Sequence, residues 1–468
     1  MHPRTRPRAP LSWARMFHRI FVANRGEVAA RIVRACREMG IQAVCGASTA
    51  DLEAGYPYLD AADQVVCLGP GPAAESYLQM ERVVQAARQT SCAALHPGWG
   101  FLAENARFAA LCAQHGVIFI GPDAATMDRM GRKVSARAAA RAAGLPVVPG
   151  SGILADAETA AAEAQRIGFP VALKADAGGG GRGIRRCEDQ AEVRTAFRDA
   201  AREAQAAFGS AALYLEKYLE GGRHIEFQVL GDGRGGAIHL GERECSIQRR
   251  HQKLLEEAPS PAFDAVHRAH YGALCVQATA AWRYRGAGTM EFLLDSAGDL
   301  HFLEMNTRLQ VEHPVTEAVT GIDLAQAMIR IAAGGPLPCA QDQVAIQGHA
   351  IEARLNAEDP AADFRPAPGR LEAFEVAGEG VRVDTHLVAG ARVPPYYDSL
   401  LAKVIAHGPD RDTAADRLAA ALAGARIEGV PTTAALHLAI LADPEFRAGR
   451  CDTLWLPRFL ERSAAAAR

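Results

Sequence analysis

The sequence predicts a multidomain protein of mixed α/β and α+β class, with a parallel sheet wrapped by helices at its N-terminal end and a mostly-β C-terminal region closed by helices. Three observations predict it. At 468 residues the chain exceeds what one compact core ordinarily holds. Apolar strand-like runs alternate with helical ones up to about residue 130, the pattern of a parallel sheet with helical crossovers. From residue 223 the alternation changes to period-2 segments joined by Gly- and Asp-containing turns, the pattern of antiparallel hairpins.

The elements follow in order. RIFVAN (19–24) is a short apolar strand, and RGEVAARIVRACREMG (25–40) has helical spacing and stops at Gly40, a residue suited to a helix C-terminus. IQAVCGAS (41–48) is the next strand; DQVVCLG, CAALHPG and VIFIGP follow, with AENARFAALCAQHG helical among them. Residues 134–168 are Ala- and Arg-rich and helical, broken at GLPVVPGSG. FPVALKAD (169–176), a glycine run (178–181), the strand GIRRC, a helix over 189–208 and the strand ALYLEKYL form a small α+β unit near 148–219. HIEFQVLGDGRGGAIHLGERECS and TMEFLLDSAGDLHFLEMN read as hairpins. Short strands dominate 350–408, and helices at about 411–425 and 431–442 close the chain.

Composition excludes several function classes. Hydrophobic residues make up 49% of the chain, and the net charge of −3 argues against a nucleic-acid partner. No apolar run has the 18 residues of a membrane span. The ten cysteines form no CxxC pair and lie mostly in apolar segments, as buried reduced thiols of a cytoplasmic protein do. The opening MHPRTRPRAPLSWAR is rich in Arg and Pro and lacks acids. It reads as a disordered tail, or as a start assigned too early with Met16 the true first residue, in preference to a transit peptide.

Four segments carry chemistry. In KADAGGGGRGI, Lys174 ends a strand before a glycine run. A strand follows the run, so it is not a dinucleotide turn, and it lacks the terminal GK[ST] of a Walker loop. Backbone N–H groups of such a loop can close over phosphates, although an ordinary surface loop has the same composition. In TMEFLLDSAGDLHFLEMNTR, Glu291 lies on one strand, and Glu304 and Asn306 share a face of its partner, with Leu303 and Met305 expected on the apolar side. That is a hard-oxygen set suited to Mg²⁺ and nucleotide phosphates. Gln248, His251 and Lys253 in SIQRRHQKLLEEAPSP, with His224 and Glu226 upstream, form a polar group able to hold an anion. In NTRLQVEHPVTE, Arg308, Gln310 and Glu312 alternate along an extended segment; Arg308 suits a small oxyanion and Glu312 suits a general base. The residues alone do not separate this from a structural Arg–Glu pair.

These segments, with FVANRGEVAARIVRAC, LHPGWGFLAEN, MGRKVSA, EKYLEGGRHIEFQVL, ERECSIQRRHQKLLEEAP, ARLNAEDP and VPPYYDSLLAKV, resemble the biotin carboxylase family of the ATP-grasp superfamily from about residue 17 to 460. The resemblance implies a Rossmann-like N-terminal domain (17–132) after an extension (1–16), an ATP-grasp domain (133–349) with a mobile lid at about 148–219, and a C-terminal domain (350–462). It implies an ATP-dependent ligase that carboxylates biotin through carboxyphosphate. By the resemblance Lys133 and Lys174 bind ATP phosphates, with Gly180 and Gly181 in the lid loop. Glu216, Lys217, Tyr218 and Leu219 line the adenine pocket, and His224, Gln248 and His251 belong to the nucleotide site. Glu291, Glu304 and Asn306 hold Mg²⁺ or Mn²⁺. Lys253, Arg308, Gln310 and Val311 cradle bicarbonate, Glu312 is the base, and Arg354 binds biotin and its enolate, with Trp99 nearby.

Three positions depart from the family. Trp99 stands where Tyr is usual and lacks the phenol hydroxyl. Asp176-Ala177 replaces Ser-Gly before the glycine run, and an acid beside phosphates is expected to weaken ATP binding. Arg132 stands where an acid is common. Another ATP-grasp carboxylate–amine ligase would not need RRHQK, TRLQVEHPVTE or ARLNAED, and a catalytically dead nucleotide sensor would be expected to lose Glu291, Glu304, Arg308 or Glu312. The resemblance further implies a homodimer working with a separate biotin carboxyl carrier protein and carboxyltransferase subunits, since no Met-Lys-Met turn or carboxyltransferase segment is seen. The expected parent complex is acetyl-CoA carboxylase, supplying malonyl-CoA for fatty acid biosynthesis; propionyl-CoA and pyruvate carboxylases use similar subunits.

Overall fold

A computed structural model describes residues 17–177 and 184–466; the expectations for residues 1–16 and for Gly180 and Gly181 lie outside this range. The N-terminal strands Gln64–Gly69, Gln42–Ser48, Arg19–Val22, Ala94–His96 and Ile118–Phe119 form one sheet in that order, and every pairing is parallel. The helix Gly26–Glu38 turns Val28, Ile32, Val33 and Cys36 inward, and the chain leaves it through Gly40 at φ +70°, where a side chain would be strained. Asn105 caps Ala106–Gln114 by accepting from Phe108 N–H at 3.0 Å.

The middle unit is a three-stranded antiparallel sheet, Arg185–Cys187, Val171–Ala175 and Leu213–Lys217, backed by helices Ala157–Ile167 and Gln190–Phe208. Its core is small, built on Val171, Leu173, Val193, Leu213 and Leu215.

The largest sheet has eight antiparallel strands, in the order Leu300–Asn306, Arg285–Leu294, Arg223–Asp232, Ala237–Arg249, Gln252–Ala258, His349–Asn356, Leu400–Gly408 and Val381–Thr385. Strand His349–Asn356 pairs with Gln252–Ala258 on one side and Leu400–Gly408 on the other. The sheet is therefore continuous across residue 350, and residues on both sides of it face one site.

Two features differ from the sequence reading. The 223–306 region holds a 17-residue helix, Ala265–Ala281, between its hairpins, capped by Asp264 accepting from His267 N–H at 2.8 Å. A further helix, Trp455–Ala466, follows the two expected to close the chain, with Trp455 stacked on Phe459 at 4.8 Å between ring centres. Among the described residues no helix is long and apolar enough to cross a membrane, and the ten cysteines are all free thiols, buried except Cys67 and Cys339.

Candidate active site

The site is built on the eight-stranded sheet. In the hairpin 285–306, Asp295 accepts from Ala297 and Asp299 N–H, both at 2.9 Å, and Gly298 takes φ +89° to close the turn. Glu291 pairs directly with Glu304, and the register then shifts so that Phe292 faces Phe302. This bulge corrects the expected alternation. Phe302 and Met305 fill the core, and Leu303 stays half-exposed, because the extra residue turns it out of the apolar row.

Glu291 is the hub of the hairpin side. Its Oε1 accepts from Lys253 Nζ at 3.0 Å, Asn306 Nδ2 at 2.8 Å and Gln310 Nε2 at 3.1 Å. His224 Nε2 lies 3.2 Å from its Oε2. Burial works against charge on both, yet Lys253 and His224 hold the Glu291 carboxyl well below its ordinary range, and Glu291 in turn raises the His224 pKa. Glu304 accepts from Lys133 Nζ at 2.5 Å through Oε2, and its Oε1 has no protein donor among the described residues. Asn306 Oδ1 accepts from Arg308 Nη2 at 3.0 Å, so its amide orients Arg308 and Glu291 at once. Two facing carboxylates, one with an uncommitted oxygen, fit a hard divalent cation.

Lys253 is the second hub. Besides Glu291 it reaches Glu226 Oε2 at 2.5 Å and Glu312 Oε1 at 2.7 Å, and these three carboxylates raise its pKa against the effect of burial. Arg243, fully buried, donates to Glu226 at 2.6 Å, Gln228 at 2.8 Å, Thr316 at 2.9 Å and Thr289 at 3.1 Å. Glu312 is also fully buried. Lys253 holds one of its oxygens, and Arg354 Nη2 holds the other at 2.9 Å; burial alone would raise its pKa, but these cations bring it well below the ordinary value. Arg354 Nε donates to Glu256 at 2.6 Å, and burial pushes the Glu256 carboxyl up to about 7 despite that partner. Glu304 stands directly across the strand pair from Glu291, and Glu291 is linked through the Asn306 amide to Arg308.

The remaining predicted residues fall around this centre. Gln248 lies opposite Lys253 across the hairpin, and His251 sits exposed in its two-residue turn, where Arg250 and His251 both have positive φ. The Val311 carbonyl accepts from the fully buried Lys403 Nζ at 3.0 Å, and Lys403 is paired with Glu27 at 2.8 Å. In the middle unit Lys174 Nζ donates to Glu216, which also faces Arg137 Nε at 3.2 Å. Lys217 ties down the backbone at Phe169 O, 2.7 Å away, and Tyr218 and Leu219 are half-buried. Asp176 is turned to the helix Lys133–Ala142, accepting from Val134 N–H at 2.8 Å. Trp99 lines a cleft of about 260 Å³ with Asn24, Arg25, Phe101, His386 and Tyr397, and Arg354 does not line it. Glu256 and Glu312 draw Arg354 into the sheet instead.

Sequence reasoning placed Glu226 beside His224 in a polar group, a spacing visible in HIE, and assigned no role to three further residues of the network. Arg243 and Glu256 face inward from strands whose register the sequence does not reveal. Glu104 accepts from Arg308 Nε at 2.8 Å across a separation of 204 residues, for which no local signal exists.

Three family models match the chain: "Biotin carboxylase, N-terminal domain" over residues 16–127, "Carbamoyl-phosphate synthase L chain, ATP binding domain" over 132–340, and "Biotin carboxylase C-terminal domain" over 352–458. A biotin carboxylase of Nostoc sp. is 52% identical over 439 residues, 93% of this chain and 98% of that one. Among solved structures, the biotin carboxylase domain dimer of Hydrogenobacter thermophilus 2-oxoglutarate carboxylase, with MgADP, ADP and bicarbonate, has a TM-score of 0.90 and 47% identity, covering 95% of this chain and 99% of that one. A Rhizobium etli pyruvate carboxylase has a TM-score of 0.88 and 40% identity, covering 95% of this chain and 41% of that one.

Proposed function

The chain belongs to the biotin carboxylase family, and on that premise we propose that it catalyses the first half-reaction of an acetyl-CoA carboxylase, placing a carboxyl group on biotin held by a separate carrier protein. It is an ATP-dependent ligase, and its reaction uses ATP, Mg²⁺, bicarbonate and biotin. The observation that carries the residue assignments is the position of Glu312: one buried carboxylate with an oxygen on Lys253 and the other on Arg354.

In this reading bicarbonate enters the cradle of Lys253, Arg308, Gln310 and Val311. Glu312 is ionised because its two cations hold it so, and it takes the bicarbonate proton. The bicarbonate oxygen then attacks the γ-phosphorus of ATP, the bond to ADP breaks, and carboxyphosphate forms. Lys133 and Lys174 face the phosphates and offset the charge that develops there. Glu291 and Glu304 would hold Mg²⁺, with Asn306 beside them, and the bound ion neutralises phosphate charge. Carboxyphosphate breaks down to CO₂ and phosphate, the phosphate takes the biotin N1 proton, and Arg354 steadies the enolate as CO₂ adds. The segment from buried Glu216 to half-buried Lys217, Tyr218 and Leu219 is assigned to the adenine, with His224, Gln248 and His251 completing the nucleotide site.

The test is ATP hydrolysis measured with and without bicarbonate and free biotin. Dependence on bicarbonate with stimulation by biotin is the expected result; a rate indifferent to biotin overturns the carboxylase assignment. Capture of the endogenous biotinylated carrier, followed by assay with its carboxyltransferase, tests the parent complex. Malonyl-CoA is the expected product. Carboxylation of 2-oxoglutarate or pyruvate would assign the chain to the kind of complex named for the Hydrogenobacter and Rhizobium relatives. The homodimer, also proposed here, is tested by the mass of the purified protein in solution.

A further inference from the structure

The helix Lys133–Ala142 begins with a deficit. Its N-cap residue, Arg132, makes no side-chain cap, so the first N–H groups need acceptors from elsewhere. Asp176 supplies them from 42 residues away: its Oδ1 accepts from Val134 N–H at 2.8 Å, and its backbone carbonyl accepts from Lys133 N–H at 3.3 Å. Its own N–H donates to Ala212 O at 2.9 Å, next to the strand Leu213–Lys217. Only 7% of Asp176 is exposed, so it is a buried junction of the helix with two strands of the middle unit.

The two proposed phosphate lysines leave from this junction. Lys133 is the first residue of the capped helix and reaches Glu304 on the core hairpin. Lys174 stands two residues before Asp176 and reaches Glu216, and Arg137, one turn into the helix, meets the same Glu216. We propose that Asp176 is a positioning residue for ATP: as an N-cap supplied in trans, it fixes the helix of Lys133 against the strand of Lys174 and sets the spacing between the two ammonium groups. This rests on the assignment of both lysines to the ATP phosphates. It reverses the expectation that the acid repels nucleotide, because a carboxylate at a helix N-terminus is satisfied by N–H groups and by the positive end of the helix dipole.

Steady-state kinetics of the full chain test it, with Asp176→Ala, Asp176→Asn, Lys133→Met and Lys174→Met compared with wild type. Asp176→Ala is expected to raise the ATP KM about three- to tenfold and leave the bicarbonate KM within about twofold. Asp176→Asn keeps an acceptor oxygen and is expected to restore the ATP KM to within about twofold of wild type. An unchanged or lowered ATP KM in Asp176→Ala overturns the proposal, as does an Asn variant as impaired as Ala. Equal losses in ATP affinity, bicarbonate affinity and kcat mark general loosening and overturn it too. If the two lysine variants raise the ATP KM and Asp176→Ala does not, the positioning role fails alone. If neither lysine variant raises it, the phosphate assignment fails and the positioning role falls with it.

Discussion

Lys253 and Lys174 are both lysines gripped by buried glutamates, but the regions around them are built differently. Lys253 sits at the centre of the eight-stranded sheet and touches three carboxylates from three different strands or loops. Each of those acids has further partners in Arg243, His224, Asn306, Gln310 or Arg354. Among the described residues Lys174 in the middle unit pairs with Glu216 alone, and the unit's other charges pair on the surface, as in Arg194–Glu158 and Arg185–Glu203. Exposed pairs of that kind contribute about 0–1 kcal/mol each. The sheet region therefore holds its charges before substrate arrives, as electrostatic preorganisation requires. The middle unit fixes fewer buried charges, chiefly at Glu216 and Asp176, and under the proposed assignment its contribution is to affinity for nucleotide.

The sharpest way to break this contrast is to remove the proposed base. Glu312→Gln keeps the shape and abolishes proton acceptance. Bicarbonate-dependent ATP hydrolysis is expected to fall in kcat by about 10²- to 10⁴-fold, with the ATP KM little changed. Retention of kcat within about tenfold would remove Glu312 from the chemistry and leave it as a structural partner of Lys253 and Arg354.

Lys174→Met makes the matching test in the middle unit. With Lys174 on the phosphates as proposed, losing that one charge-assisted contact is expected to raise the ATP KM about tenfold and change kcat much less. A loss of kcat as deep as that of Glu312→Gln, at saturating ATP, would place Lys174 among the groups that act in the transition state and erase the distinction between the two regions.

The same contrast explains what the sequence revealed. The parallel N-terminal strands were legible because each is a short apolar run, and DQVVCLG, CAALHPG and VIFIGP also stop at a glycine or proline. The carboxylates of the hairpin 285–306 were legible because an acid inside an otherwise apolar strand is uncommon and the SAGD turn marks the two strands as partners. Leu303 was misplaced because a bulge leaves no mark in composition. The helix Ala265–Ala281 was overlooked although Asp264 and His267 show an N-cap spacing, since hairpins on both sides dominated the reading. Glu104 and Arg243 became functional neighbours only through tertiary contacts, which a linear pattern does not contain.

Glu256 and Glu257 give the finest version of the comparison, because consecutive strand residues face opposite sides of the sheet. Glu256 turns to Arg354 and the active site. Glu257 turns away, accepting from His349 Nε2 at 2.7 Å and from Arg411 Nε and Nη2 at 2.6 and 3.0 Å. Burial alone would raise its pKa, but the hydrogen bonds from His349 and Arg411 bring it from 4.5 to about 2. A folded-state pKa below the unfolded one stabilises the protein above the unfolded value, and the gain is lost as pH falls from about 4.5 through about 2. A shift of that size corresponds to about 3 kcal/mol at neutral pH. Glu257→Gln is therefore expected to lower the urea midpoint at pH 7, and the deficit should shrink on acidification through that window. The folded variant should keep ATP and bicarbonate kinetics within about twofold of wild type, since Glu257 reaches none of the reacting groups. A pH-independent deficit would contradict the ionised pairing, and a kinetic defect comparable to that of Glu312→Gln would mean that both faces of this strand serve the reaction.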